Sequence, residues 1–297
     1  MRLHLVDGTY ELFRAHYSPR PDHLAPGGWS AKATVGLVSS LLALLHDPAE
    51  SVTHIAVAFD NPIRSFRNDL FTDYKSDEGV EPALLSQFDA VEQAVRAVGV
   101  AVWSMRDHEA DDALASGALR FKDEVDQVRI LTPDKDLGQC LDGDRVVQVD
   151  RRQDKVTTEA TFRQLRGFGP KSMPDYLALT GDTADGIPGL AGFGKKGASL
   201  LLAVYEHLEQ IPKYSHLWKV KPRGALALAE TLKKHQQDAL LYRKLATLID
   251  DVPLPHTLDD LKFQGVPRAD FTAWCDELAV KSLRSAPRRW REEPEGI

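Results

Sequence analysis

The run Val52-Thr53-His54-Ile55-Ala56-Val57-Ala58-Phe59-Asp60, broken at once by Asn61-Pro62, decides the fold. It is an apolar run closed by an acid, which is how a short buried strand looks when it ends in a polar turn. The same plan occurs twice more. Leu3-His4-Leu5-Val6-Asp7-Gly8 opens the chain, and Gln127-Val128-Arg129-Ile130-Leu131-Thr132-Pro133-Asp134-Lys135-Asp136 ends in two acids. Between these runs lie helical patterns from about Trp29 to His46, Leu84 to Val98 and Ala110 to Phe121. Strands alternating with helices predict an α/β fold over residues 1–150, a mostly parallel central sheet flanked by helices. Ligands of such sheets bind beyond the carboxyl ends of the strands, where Asp7, Asp60, Asp134 and Asp136 converge.

An acid after a strand commonly forms a turn or caps the next helix, and for each one taken singly that reading suffices. It does not suffice for the set. His108-Glu109-Ala110-Asp111-Asp112-Ala113-Leu114 places three carboxylates within four residues, at the start of a helix whose small face, Ala113, Leu114, Gly117 and Ala118, packs closely on its neighbours. A helix macrodipole stabilises one or two such acids by roughly 0.3–1 kcal/mol each. The rest of the repulsion raises their pKa values unless a cation neutralises them, and oxygen-only ligands select hard ions such as Mg2+ or Mn2+. Three acid-ended strands and an acid-rich helix start on one edge match a two-metal phosphodiester site, which needs six or more oxygen ligands around ions about 3.5–4 Å apart.

With 297 residues, 43% hydrophobic and 27% charged, the chain has room for one large or two modest domains and is predicted to be soluble. No apolar run approaches the roughly 20 residues of a membrane span, and the opening residues lack a signal-peptide core. The expected location is cytoplasmic. Cys140 and Cys275 are far apart and lack paired spacing, so neither a disulfide framework nor a zinc site is indicated. A net charge of −7 would argue against a nucleic-acid partner, but divalent ions in an acid cluster reverse much of the local charge.

Past Asp150 the charged connector Arg151-Arg152-Gln153-Asp154-Lys155 leads into a helical region expected over residues 151–285. Within it, Gly189, Gly192 and Gly194 precede Lys195, Lys196 and a small-residue helix start, as in a helix-hairpin-helix turn over about residues 175–205. Its glycines let backbone approach a phosphate, its amides lie at a helix N-terminus and its lysines add charge. On spacing alone, a plain glycine-rich helix connection reads the same way. Asp182 and Asp185 add an acidic pair just upstream, and residues 286–297 read as a poorly ordered tail.

Taken together, these residues resemble the structure-specific 5′-nuclease family of flap endonucleases and the 5′-3′ exonuclease domain of bacterial DNA polymerase I. The resemblance rests on Asp7-Gly8, Phe13-Arg14-Ala15, Ala58-Phe59-Asp60, Phe66-Arg67, Tyr74-Lys75, Glu109-Ala110-Asp111-Asp112, Asp134-Lys135-Asp136-Leu137 and residues 181–189, Gly-Asp-Thr-Ala-Asp-Gly-Ile-Pro-Gly. They occur in the family's order over about residues 1–285, and with no polymerase domain following, the resemblance is to a stand-alone member.

It implies a PIN-like nuclease core with an arch segment at about residues 61–84 and two or three Mg2+ or Mn2+ ions. Asp7, Asp60, Glu109 and Asp111 would serve the first ion. Asp112, Asp134, Asp136, Asp182 and Asp185 would serve the second ion and its surroundings. Lys75, Arg67 and Arg14 would contact the reacting phosphate, and Tyr74 would stack on a base. The hairpin would grip duplex DNA with a bound potassium ion and without reading sequence. The implied partner is DNA with a 5′ end, flap or nick, or an RNA primer, met by a monomer.

Two departures stand out. A basic residue usual three positions after the Tyr-Lys lysine is Glu78 here, flanked by Asp77 and Glu81, and the usual glycine before Asp134 is Pro133. A compact endoribonuclease fits the acids but has little use for a duplex grip. A non-catalytic DNA binder would not retain every acid.

Overall fold

The computed structural model describes residues 1–292. Strand β1 (Arg2–Asp7) is buried from Leu3 onward, because helices cover both faces of the sheet. Leu3 and Leu5 enter one core, and Val6 enters the other. Helix α1 (Gly8–His16) starts without a loop, since Asp7 accepts from the Tyr10 amide at 2.8 Å. Gly8 is needed there because a Cβ would stand 2.5 Å from the Phe59 ring. Helix α2 (Lys32–Leu45) is apolar nearly all round, and β2 (His54–Asp60) is buried throughout.

The segment after β2 forms the short helices α3 (Arg67–Leu70) and α4 (Pro82–Leu85), followed by α5 (Phe88–Ala97). The single helix expected from Leu84 to Val98 is thus split at Ser86-Gln87, where the buried Gln87 side chain turns aside to accept from the Thr34 amide at 3.0 Å. Strand β3 (Ala101–Met105) was not anticipated; α6 (Ala110–Phe121) and β4 (Gln127–Leu131) lie as expected. Beyond β5 (Val146–Asp150) the expected connector is partly a strand, β6 (Lys155–Thr157). Residues 151–154 make its turn, with Asp154 left-handed at φ 49. The helical half comprises α7 (Glu159–Arg166), α8 (Met173–Thr180), α9 (Lys195–Tyr205), α10 (Ala225–Lys234), α11 (Gln236–Ala246) and α12 (Arg268–Glu277). No described helix is long and apolar enough to cross a membrane.

The sheet runs β3-β2-β1-β4-β5-β6, parallel through β5 and antiparallel at β6. The chain moves outward from β1 to β3, and α6 then carries it back to β4. The order therefore switches direction between β1 and β4, which opens a crevice at their carboxyl ends.

Packing does not divide the chain cleanly at residue 150. Helix α12 returns to the first core, where Phe271 and Trp274 join the side chains of α2 and α5, while α8 to α11 form a core of their own. The expected disorder after residue 285 does not hold as far as residue 292. Trp290 packs on Phe271 at 6.1 Å under the Arg268 guanidinium, the Val266 amide donates to the Arg289 carbonyl, and the Arg291 amide donates to the Val266 carbonyl. The remaining expected tail, 293–297, lies outside the described residues.

Helix α6 lies close to the sheet only because Gly117 has no side chain: a Cβ there would meet Trp103 at 2.6 Å and Leu5 at 3.3 Å. Gly117→Ala is expected to lower stability by roughly 1–3 kcal/mol through overpacking, despite the better helix propensity of alanine. Urea denaturation checks this, with an unchanged or raised midpoint as the contrary result.

Candidate metal and nucleic-acid site

The site is founded on a buried ion pair. Asp112 Oδ1 accepts from Arg67 Nη2 at 2.7 Å and the Ile249 amide at 2.9 Å; Oδ2 accepts from Arg67 Nη1 at 2.8 Å and the Glu109 amide at 2.9 Å. Four donors, two of them from the Arg67 guanidinium, hold this carboxylate, so Asp112 orients the start of α6. Arg67 is 1% exposed and also donates to the Leu245 carbonyl at 2.8 Å and the Thr247 carbonyl at 3.0 Å. The expected phosphate contact from Arg67 is thereby corrected, since its guanidinium is spent inside the protein.

Glu109, at the entry to α6, sits one layer outward. Its Oε1 accepts from Ser65 Oγ at 2.6 Å, with Arg67 at 3.2 Å; its Oε2 meets Lys75 Nζ at 2.9 Å and the Tyr74 hydroxyl at 3.3 Å. Burial would raise this carboxyl, but Lys75 and Arg67 outweigh it and hold Glu109 ionised below its usual range. Lys75 reaches on to Asp185 at 3.2 Å. Burial would weaken its ammonium, yet Glu109 and Asp185 together push it well above the ordinary value. Tyr74, expected to stack on a base, is buried at 4% exposure among the side chains of the helical half, and no face of its ring is open.

Facing Lys75 are the acids at the strand ends. Asp7 Oδ2 accepts from Thr132 Oγ1 at 2.8 Å, and Asp60 Oδ1 accepts from the Ala110 amide at 2.7 Å while its own amide donates to Thr9 Oγ1 at 2.8 Å. Burial, then the charges of Asp60 and Asp134, push Asp7 up to about 7. Burial likewise raises Asp60. Asp111, one residue into α6, is raised well above the usual range by burial and by Asp134 and Asp7. The charges of Asp60 and Asp7 act on one another and on Asp111, a repulsion that a cation would relieve.

The second group is tighter: oxygens of Asp136, Asp182 and Asp185 all lie within 4.8 Å of one another. Asp134 caps the turn that presents Asp136, accepting from its amide at 2.9 Å. Burial, then Asp134 and Asp185, raise Asp136, and burial raises Asp185. Asp136 Oδ1 is buried without a hydrogen-bond partner. An orphaned carboxylate oxygen among all-oxygen donors fits a hard divalent cation. Lys135 pairs with Asp182 and stands 3.7 Å from Asp136. Sequence reasoning passed over Lys135, although its place between two acids was a usable signal; the hydroxyls of Thr9, Ser65 and Thr132 had none.

Alongside lies the loop from α8 to α9. Asp182 and Ile187 exchange backbone hydrogen bonds at 2.8 Å, and the Lys75 amide donates to the Asp185 carbonyl at 3.1 Å. Gly186 is left-handed at φ 73 and so close to the Asp73 carbonyl that no side chain fits. Gly189 and Gly192 are left-handed too, and Gly194 caps α9 with open space where a Cβ would stand. Lys195 and Lys196 are exposed beside the free amides of that helix start. Arg14, by contrast, is engaged with Glu11 and donates to Ser40 Oγ at 2.8 Å. Of the expected arch, Arg67 and Tyr74 are buried and Lys75 is half-buried, whereas Asp69 and Leu70 of α3, Thr72 and Asp73, the turn at Asp77, Glu78 and Gly79, and Glu81 are exposed; Glu81 accepts from His16 at 3.2 Å.

Residues 2–167 match the N-terminal resolvase-like domain of the 5′-3′ exonucleases, and residues 168–269 match their C-terminal SAM fold. The chain is 30% identical over 301 residues to DNA polymerase I of Bacillus caldotenax, covering 99% of this chain and 33% of that protein. It is 29% identical over 282 residues to the 5′-3′ exonuclease of Aquifex aeolicus, covering 95% and 93%. The chain thus spans about a third of the length of the polymerase I relatives it matches. Among solved structures, the T5 D15 flap endonuclease in complex with DNA and metal ions superposes with TM-score 0.62 at 16% identity, over 96% of this chain and 95% of that one. The catalytic core of Rad2 in complex with DNA substrate gives 0.59 at 13%, over 93% and 86%. These two share the fold.

Two outcomes follow from the charges. Arg67→Ala strands Asp112 without its partner and is expected to cost roughly 3–5 kcal/mol, measured by urea denaturation; a loss below about 1 kcal/mol would contradict the pairing. Asp7, raised to about 7 from 3.8, opposes folding once ionised, so its penalty is absent below about pH 4 and complete above about pH 7. In EDTA, Asp7→Asn should therefore melt higher than the wild type at pH 8, and the gap should close toward pH 4. An equal gap at both pH values would refute it.

Proposed function

The chain belongs to the 5′-3′ exonuclease family, and we propose that it is a divalent-metal-dependent 5′-nuclease that hydrolyses phosphodiester bonds at DNA 5′ ends, flaps and nicks, RNA primers included. One observation carries the reading: Lys75 touches Glu109 on one side and Asp185, of the Asp136, Asp182 and Asp185 group, on the other, and its charge acts on Asp60 and Asp111 as well. We assign Asp7, Asp60, Glu109 and Asp111 to one Mg2+ or Mn2+ ion, and Asp134, Asp136, Asp182 and Asp185 to a second. Bound there, the ions would lower the pKa of an attacking water and supply positive charge for the leaving oxygen.

The protein's own residues do the rest. Lys75, held protonated by Glu109 and Asp185, offers a fixed positive charge for the scissile phosphate. Thr132 and the Ala110 amide hold Asp7 and Asp60 in one orientation, so the carboxylates are aimed before substrate arrives. Of the three cations considered for the reacting phosphate, Lys75 is the one held between Glu109 and Asp185; Arg67 is enclosed with Asp112, and Arg14 is held by Glu11. Gly189, Gly192 and Gly194, the first amides of α9, and Lys195 and Lys196 take duplex backbone without reading bases, with K+ as a further ligand of that turn. The protein acts as a monomer in the cytoplasm.

Asp111 makes no hydrogen bond among the described residues, so Asp111→Asn changes charge with little effect on structure. It should lower Mg2+-dependent cleavage of a 5′-labelled flap by more than about a hundredfold and leave duplex affinity within about twofold. Wild-type turnover in that variant would overturn the ion assignment. Failure of the wild type to cut flap, nicked, single-stranded or RNA-primed duplex in Mg2+ would overturn the nuclease reading itself.

A further inference from the structure

The helical half carries its charge away from the acid cluster. Over residues 213–235, six cations, Lys213, Lys219, Lys221, Arg223, Lys233 and Lys234, face one acid, Glu230, in a chain whose net charge is −7. All six are exposed, and among the described residues none is paired with a carboxylate; the neighbouring ion pairs use His207, His235 and Arg243 instead. The segment is firmly anchored. Trp218 is buried and donates to the Pro212 carbonyl at 2.6 Å, and the Lys219 amide donates to the Tyr205 hydroxyl at 2.7 Å. What this anchor presents is aromatic. Tyr214, 53% exposed, stacks on exposed His216 at 5.7 Å with a 24° tilt, and Lys233 stands 5.9 Å from its ring.

The patch adjoins the hairpin. A Cβ on Gly197 would touch Pro222 at 3.9 Å, and one on Gly192 would touch Leu228 at 3.5 Å, so Lys221, Arg223 and the start of α10 abut the first turn of α9. From Ala225 to Lys233, α10 adds roughly 12 Å to the reach of that surface. Unpaired cations ending in an exposed aromatic pair are what single-stranded nucleic acid needs, charge for its backbone and a flat face for its bases. Protein partners that avoid nucleic acid have no comparable use for a strip of this single sign.

We propose that residues 213–234 form a single-strand platform that continues the duplex grip: Lys219, Lys221 and Arg223 hold the phosphates of a strand leaving the duplex, and Tyr214 stacks on one of its bases. This rests on the nuclease reading for its substrate but on none of its acids. Binding is measured in EDTA for the whole protein with a blunt duplex and with the same duplex carrying a tail of about ten nucleotides on either strand.

The wild type should bind one tailed form more tightly. Tyr214→Ala should reduce that gain about fivefold or more while Tyr214→Phe keeps it, and Lys219→Ala with Lys221→Ala and Arg223→Ala should lower the log-log salt slope on the tailed duplex by about two. No gain from either tail, or a gain equal in the wild type and Tyr214→Ala, would overturn the platform. Cleavage of the nicked duplex in Mg2+ is read in parallel: cutting without a tail effect removes the platform alone, and a tail effect without cutting removes the nuclease reading alone.

Discussion

The fork between Arg67 and Asp112 is the constraint on which the rest of the site depends. One guanidinium, fully enclosed, binds the start of α6, the short helix α3 and the carbonyls that end α11. Through Asp112 it also fixes the Glu109 amide, and so the first turn of the acid-bearing helix. Burying such a pair costs several kcal/mol per ion in desolvation, which only a complete set of hydrogen bonds offsets. Here the set is complete. What the pair provides is position: the two halves of the molecule share it, and neither can shift without breaking bonds inside a dry core.

Around that fixed point the charges are deliberately unbalanced. Lys75 and Lys135 each touch the acids, yet Asp7, Asp60, Asp111 and Asp136 remain raised in pKa and Asp136 keeps an oxygen with no partner. A protein selected for stability alone would have paired or removed them. The fold instead holds repelling groups together by backbone means, with strand ends, helix amides and capped turns each restraining one carboxylate. The repulsion is then available to any doubly charged ion that enters.

Most of this was legible in the residues. Apolar runs closed by acids gave β1, β2 and β4, and the cluster at Glu109 to Asp112 gave the helix start to the residue. Strand β3 escaped because Ala101 to Met105 is short and carries a serine where alternation would show a core residue, and β6 because a three-residue edge strand reads as charged loop. The protein contacts of Arg67, Tyr74 and Asp112 were not legible for one reason. Whether a polar side chain is spent on substrate or on the protein depends on which distant carbonyls and amides meet it, and Leu245, Thr247 and Ile249 lie far away in sequence. The ordered segment up to Trp290 escaped likewise, since its partner Phe271 lies on a helix that gives no sign of returning to the first core.

The contact of Gly186 with the Asp73 carbonyl is made by backbone on both sides. Side-chain interfaces give way by rotamer changes, but main chain seated on main chain has no such freedom, and the Lys75 amide bonded to Asp185 clamps the same junction. The span from the first turn of α9 to the acid cluster is therefore a fixed length. Were duplex held at one end of this span and a strand broken at the other, as proposed, such a length would act as a ruler. The number of nucleotides between the gripped backbone and the broken bond would then be set by the protein, whatever their sequence.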